Sequence, residues 1–207
     1  MEIEIKKAVK AGNSSAVILP RAWLNREVRV ELVKKNPKEI LFDVIDIAKR
    51  YIFNLEEIIG IYLVGSYARK EEGRNSDIDI LVITNNIDKE MIKEGIYSIL
   101  IVSKDLVEQK LKYDLFPIGS MIKEAKPLIN RAYLSSLKVR VSKENVRWYI
   151  DTTKEKLDLI REILDKKRDV ENRVVYTLVL RVRTLHIIQK MIRNKPYYKK
   201  DFISLIN

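Results

Sequence analysis

One run of twenty residues limits the fold of this chain more than any other: Leu63-Val-Gly-Ser-Tyr-Ala-Arg-Lys-Glu-Glu-Gly-Arg-Asn-Ser-Asp-Ile-Asp-Ile-Leu-Val. It extends an apolar stretch, Ile58 to Val64, that reads as a buried strand. The strand pattern stops at Gly65-Ser66, and Ser66 to Glu72 reads as a short helix. A second strand pattern opens at Asp77. Gly65 permits close approach to the backbone, and the helix start offers free N–H groups and positive dipole to an anion. On a strand, residues two apart share a face. Asp77 and Asp79 therefore project together while Ile78 and Ile80 face the core. Neighbouring carboxylates repel unless a cation sits between them. The arrangement fits a metal ion held against a nucleoside triphosphate.

Composition narrows the metal. The chain has no cysteine and a single histidine, His186, so thiolate and histidine-rich sites are excluded. Oxygen ligands remain, which favours Mg²⁺ or Mn²⁺. No apolar run reaches the roughly 18 residues of a membrane span, and the N-terminus has no apolar signal core. A cytoplasmic chain with no membrane partner is expected. The net charge of +11 is uneven: residues 135–207 carry +9, whereas residues 37–134 carry −2. A basic tail beside a slightly acidic centre suits a polyanionic partner, or is a solvated helix surface.

The pattern along the chain predicts an α+β protein: a small mixed sheet with flanking helices, an N-terminal β-hairpin module and a C-terminal helical bundle. Three domains are expected, over 1–34, 38–134 and 142–207. In the first, Ile3 and Ile5, Ala16 to Leu19 and Val28 to Val33 read as strands, with Gly12-Asn13-Ser14 as a turn. Pro37 suits the first turn of a helix running to about residue 53. After the aspartate strand, Asp88 to Glu94 suits a helix, Ile96 to Val102 a third strand, and Lys104 to Leu111 another helix. Beyond residue 142 apolar residues step by three or four, giving two long helices and a short third, with Ser142 as cap of the first.

Gly65-Ser66, ten residues, then Asp77-x-Asp79 resembles the signature of the polymerase-β-type nucleotidyltransferase superfamily. It is most similar to the minimal nucleotidyltransferases, several of which are antitoxins that adenylylate a partner protein. The resemblance covers roughly residues 38–134. It implies a nucleotidyltransferase using Mg²⁺ (or Mn²⁺) and moving a nucleotide, AMP from ATP, to a protein or RNA acceptor. Asp77 and Asp79 become the catalytic and metal-binding residues. Gly65, Ser66, Arg69, Lys70 and Ser76 become nucleotide-binding, with Arg69 or Lys70 offsetting the charge of departing pyrophosphate.

The family places a third carboxylate on a later strand. Here that position falls on Ser98, a poor metal ligand, with Glu94 the nearest substitute by sequence. This keeps a second reading open: a catalytically degenerate nucleotidyltransferase fold acting as a DNA- or RNA-binding regulator or antitoxin.

Val9-Lys-Ala-Gly-Asn-Ser-Ser-Ala-Val-Ile-Leu-Pro-Arg-Ala-Trp resembles the AbrB-like swapped-hairpin family. That implies a homodimer and possible DNA contacts through Lys7, Lys10 and Arg21. A hairpin that only dimerises or packs is the alternative. Arg181 and His186 match the spacing of one helical ribonuclease family. Five residues apart on a helix, they point about 140° from each other, and a charged helix face is the default.

Overall fold

The computed structural model describes residues 4, 6, 8–30, 35–73, 76–165 and 171–206. They fall into two compact units, Met1–Ile40 and Leu41–Asn207.

In the first unit, β1 (Ala8–Ala11) and β2 (Ser14–Val17) pair antiparallel, from Ala8↔Val17 to Ala11↔Ser14. Gly12 takes the turn at φ +61°. Ser14, expected in the turn, is the first residue of β2. The strand expected over Val28–Val33 does not form at residues 28–30, and residues 31–33 lie outside the described residues. Val28 and Val30 are exposed. Alternation alone makes no strand without a partner edge. The strand expected at Ile3 and Ile5 also lies outside the described residues.

Helix α1 (Pro37–Ala48) opens with a reciprocal cap. The Asn36 side chain accepts the N–H groups of Lys38 and Glu39, and Glu39 accepts the Asn36 N–H. Two orphan donors of the first turn are thereby satisfied. The helix stops at Ala48, short of the expected residue 53.

The second unit is built on a five-stranded mixed sheet. Its strands are β3 (Ile58–Val64), β4 (Ile78–Thr84), β5 (Lys89–Glu94), β6 (Tyr97–Ser103) and β7 (Lys126–Ile129), in spatial order β5-β6-β4-β3-β7. β4 and β6 are parallel and the remaining pairs antiparallel. Both faces are buried. Ile78, Ile80, Val82, Ile99 and Ile101 line one, where Tyr97 donates its hydroxyl to Asp43 of α1. Tyr62, Val64, Leu81, Ile83 and Val102 line the other, packed with Val107 of α3 (Lys104–Tyr113) and Ile118 and Ile122 of α4 (Ile118–Glu124). Gly60 leaves room for the Tyr62 ring: a β-carbon there would stand 2.0 Å from the Tyr62 hydroxyl.

Residues 89–94, expected as helix, form edge strand β5. Lys-Glu-Met-Ile-Lys-Glu has good helix formers, but the unpaired flank of β6 recruits it. Asp88 fixes the return of the chain by accepting the Ser103 N–H (2.6 Å) and hydroxyl (3.0 Å). Gly95, at φ +58°, turns the hairpin. Lysines and glutamates on an edge strand also discourage pairing with further chains.

The α3–α4–β7 stretch continues into α5 (Arg131–Ser136). Three helices follow as expected: α6 (Lys143–Asp165), α7 (Asn172–Ile192) and α8 (Lys199–Ile206). Ser142 caps α6, its hydroxyl accepting the Asn145 N–H (3.2 Å) while Asn145 accepts the Ser142 N–H (2.8 Å). Val146 of α6 and Ile188 of α7 bury against Leu115, which joins the helices to the α3–α4 corner. No described helix is long and apolar enough to cross a membrane.

Candidate active site

Strand β3 ends at Val64, and helix α2 (Gly65–Arg69) starts at once. The expected extension to Glu72 does not form, because Lys70 adopts a left-handed conformation (φ 59°) and closes the helix. Val64 provides no side-chain cap. Gly65 sits at φ +67°, where a side chain is strained. Close approach constrains it further: a β-carbon on Gly65 would fall 2.1 Å from Asp79 Oδ2 and 2.9 Å from its carboxyl carbon. The register explains the contact, since Asp79 pairs with Val64 across β3 and β4.

Asp79 is half-buried, on the sheet face shared by Leu81 and Ile83. Asp77 is exposed, just before β4 begins. The two carboxylates are close enough to interact. Burial, then Asp77 and then Glu124, push the Asp79 carboxyl above its ordinary value, while Arg69 and Arg183 oppose the shift. Ser98 lies beside Asp79 on β6, buried, in the parallel register Asp79↔Ser98. Glu94 is on β5 and pairs with Arg50. Among the described residues no cluster of three or more His, Asp or Glu side chains is spaced to hold a metal ion.

Above Gly65 and Asp79 opens a cleft of about 780 Å³, within the usual range for small-molecule sites. Ser66, Arg69, Lys70 and Ser76 line it. The Ser76 hydroxyl accepts the Gly73 N–H at 2.8 Å and closes the loop ahead of β4. Arg69 departs from expectation. Its side chain is nearly buried and clamped by Glu71 (Nε to Oε2, 2.9 Å) and by Glu124. Its charge is satisfied within the protein. Lys10, on β1, and Arg21, in a short 3-10 turn, belong to the first unit and are exposed; Lys7 lies outside the described residues.

The far wall comes from residues that motif reading did not select. Arg183, Ile187 and Met191 of α7 face the cleft, together with Tyr197 and Lys199 beyond it. Arg183 Nε donates to the Tyr197 hydroxyl at 2.8 Å, and the guanidinium groups of Arg69 and Arg183 each lie 5.4 Å from the Tyr197 ring. The spacing of 183, 187 and 191 was a visible signal: one helical stripe led by a cation. Glu124 carried none, being 59 residues from Gly65. Arg181 points elsewhere, donating to Thr152 and Thr153 and stacking over Tyr149. His186 packs between the rings of Tyr197 and Phe202. The ribonuclease-type pair therefore does not converge within this chain.

Residues 44–202 match the family model described as a nucleotidyltransferase domain. No curated protein matches the sequence significantly. Among solved structures, a nucleotidyltransferase-like protein from Exiguobacterium sibiricum 255-15 aligns at 16% identity over 70% of this chain and 58% of its own, with TM-score 0.34. This chain thus spans little more than half of that protein. A toxin-antitoxin structure with AMP-PNP aligns at 18% identity, covering 63% of this chain and 99% of its own, with TM-score 0.32. A mutant of the toxin-antitoxin MntA-HpeT gives 16% identity, the same coverages and TM-score 0.32.

Proposed function

Because the chain belongs to the nucleotidyltransferase domain family, we propose that it transfers a nucleoside monophosphate from a nucleoside triphosphate, ATP by preference, to a hydroxyl of a protein or RNA acceptor. The observation that carries this reading is the Asp79 carboxylate pressed against Gly65 at the mouth of the cleft. Asp79 lines the cleft beside the glycine turn, and Asp77, exposed just before β4, interacts with it; this supports a site for phosphates and their counter-ion.

The donor set suits Mg²⁺ or Mn²⁺. Asp77 and Asp79 offer only oxygen, and Mg²⁺ is commonly held by one or two carboxylates, with waters and substrate phosphates filling its remaining positions. These two residues would hold the ion, which when bound supplies Lewis-acid stabilisation of phosphoryl charge. Burial is the main cause of the raised Asp79 carboxyl, and a bound cation would offset the lesser contribution from Asp77 and Glu124.

The chain's own groups do the rest. The Ser66 hydroxyl and the start of α2 orient the phosphates. The acceptor oxygen attacks the α-phosphorus in line, and the bond to pyrophosphate breaks. Lys70, Arg183 and Lys199, which line the cleft, offset the charge that leaves. Arg69 contributes less than its position suggests, because two carboxylates hold it. Incubation with α-labelled ATP, Mg²⁺ and cell extract tests the reading. Transfer that Asp77→Ala lowers at least 100-fold is expected; no transfer, with Asp77→Ala indistinguishable from wild type, removes it.

Ser98 favours a second reading. A serine stands beside Asp79 where a third carboxylate would complete the site. On that reading the cleft binds nucleotide without transferring it, and the chain is a DNA- or RNA-binding regulator or antitoxin. Nucleic-acid affinity should then fall steeply with salt. For the Met1–Ile40 unit, the reading assigns dimerisation and DNA contact to the hairpin, with Lys10 and Arg21 toward phosphates.

A further inference from the structure

The Glu124 carboxylate spans two groups. One oxygen accepts the Gly65 N–H at 2.8 Å, and the other accepts from the Arg69 guanidinium. A backbone N–H beside an arginine is what a phosphate oxygen seeks. We propose that Glu124 is a built-in competitor for the phosphates of the nucleotide. Its carboxylate fills the anion position at the glycine turn, and it must swing away for a triphosphate to seat there. The inference rests on the nucleotide-binding reading above and adds regulation of that site.

Three features of the cleft carry it. First, the donors at the glycine turn are already taken while the rest of the cleft is basic. Glu71 and Glu124 clamp Arg69 and Glu124 occupies the Gly65 N–H, whereas Lys70, Arg183 and Lys199 line the cleft around them, so a polyanion drawn in by those cations meets a carboxylate where the fold offers it donors. Removing Glu124 frees one N–H and one face of a guanidinium. Second, Arg69 does not leave with Glu124. Glu71 holds its Nε from the other side at 2.9 Å, and Glu71 is itself anchored by the Lys199 N–H at 2.9 Å. The guanidinium stays aimed into the cleft, ready for a phosphate. Third, Glu124 is the last residue of α4, followed directly by the C-cap Ala125. A side chain at a helix end, in a cleft wall and partly exposed, has room to turn outward without unpacking the core residues Ile118 and Ile122.

A competitor tethered in this way lowers apparent affinity by the fraction of time the site is open. An open fraction of about one tenth corresponds to roughly a tenfold loss, recovered when the competitor is neutralised.

The test is calorimetric titration of the full chain with inorganic tripolyphosphate, and separately with ATP and Mg²⁺. Glu124→Gln keeps the shape and removes the charge; Glu124→Asp keeps the charge and shortens the reach. Glu90→Gln, on exposed edge strand β5, changes net charge equally at a distance. Thermal unfolding checks that each variant is folded. Glu124→Gln should bind both ligands about tenfold more tightly than wild type, Glu124→Asp should fall between, and Glu90→Gln should match wild type. Binding by Glu124→Gln where wild type shows none supports the proposal in its strongest form. Affinity unchanged or weakened in Glu124→Gln, with wild type binding normally, overturns it. So does selective loss of the Mg²⁺-dependent component, which would make Glu124 a partner of the metal instead. No binding by either protein defeats the nucleotide reading itself, and this inference with it.

Discussion

The carboxylate of Asp79 stands where a side chain on Gly65 would have to be, 2.1 Å from the position of the missing β-carbon. The pair couples the end of β3 to the acid on β4, so position 65 has no room for a side chain while Asp79 keeps its shape. Gly65→Ala should therefore cost at least 100-fold in nucleotide transfer and destabilise the chain by about 2 kcal/mol, from steric conflict and positive φ together. Gly12 has a similar φ of +61° with nothing within 4 Å. Gly12→Ala should cost only about 1 kcal/mol and spare activity. Chemical denaturation of both variants, beside a transfer assay, separates the two effects.

Asp79→Asn should abolish Mg²⁺-dependent nucleotide binding yet stabilise the free protein. The folded state holds the Asp79 proton more tightly than the unfolded chain, whose value is near 3.8. By linkage, stability falls as pH rises from that value through the raised one, because the folded state binds more protons there. Each kcal/mol relieved should add about 2–4 °C to the midpoint. The gap between Asp79→Asn and wild type should widen with pH over that window and then level off, as melting curves from pH 3 to about 7 would report.

Arg183 and Arg181 are two residues apart on α7 with different work to do. Arg183→Ala should weaken triphosphate binding about tenfold, the usual scale for one charge-assisted contact, and cost about 1 kcal/mol of stability through the lost bond to Tyr197. Arg181→Ala removes donors to Thr152 and Thr153 and should act on stability, by about 1–2 kcal/mol, leaving nucleotide affinity intact. Titration with ATP and denaturant unfolding of both variants provide the check; equal effects on affinity would contradict the assignment.

Ser98→Asp would place a third carboxylate next to Asp79 in the β4–β6 register. If the missing acid limits transfer, the variant should turn over labelled ATP at least tenfold faster at saturating Mg²⁺, and be less stable without the ion because another buried charge joins the pair. A rate equal to wild type would mean that the serine does not limit the chemistry.

The glycine turn and acidic pair were legible because they depend on local rules: an apolar run, a strand–helix corner and a two-residue repeat. The final helices were legible through their long stripes. β5 was misread because Lys89 to Glu94 has helix formers and its strand identity is imposed by the open edge of β6. The hold of Glu124 on Gly65, and the meeting of Arg183 with Tyr197, arise from chain reversals that no periodicity encodes. Ser98 is the intermediate case: the family resemblance put it at the third-carboxylate position, and the parallel β4–β6 register is what sets it beside Asp79.

One wall of the pocket is borrowed. Arg183, Ile187 and Met191, all on α7, lie more than a hundred residues downstream of Asp79. A protein ending after α5 could keep every letter of the glycine–serine and double-aspartate signature and still present an open ledge to solvent. Drift in the final bundle can therefore retune what the ledge accepts while the signature stays untouched, so two chains sharing the motif need not share a substrate.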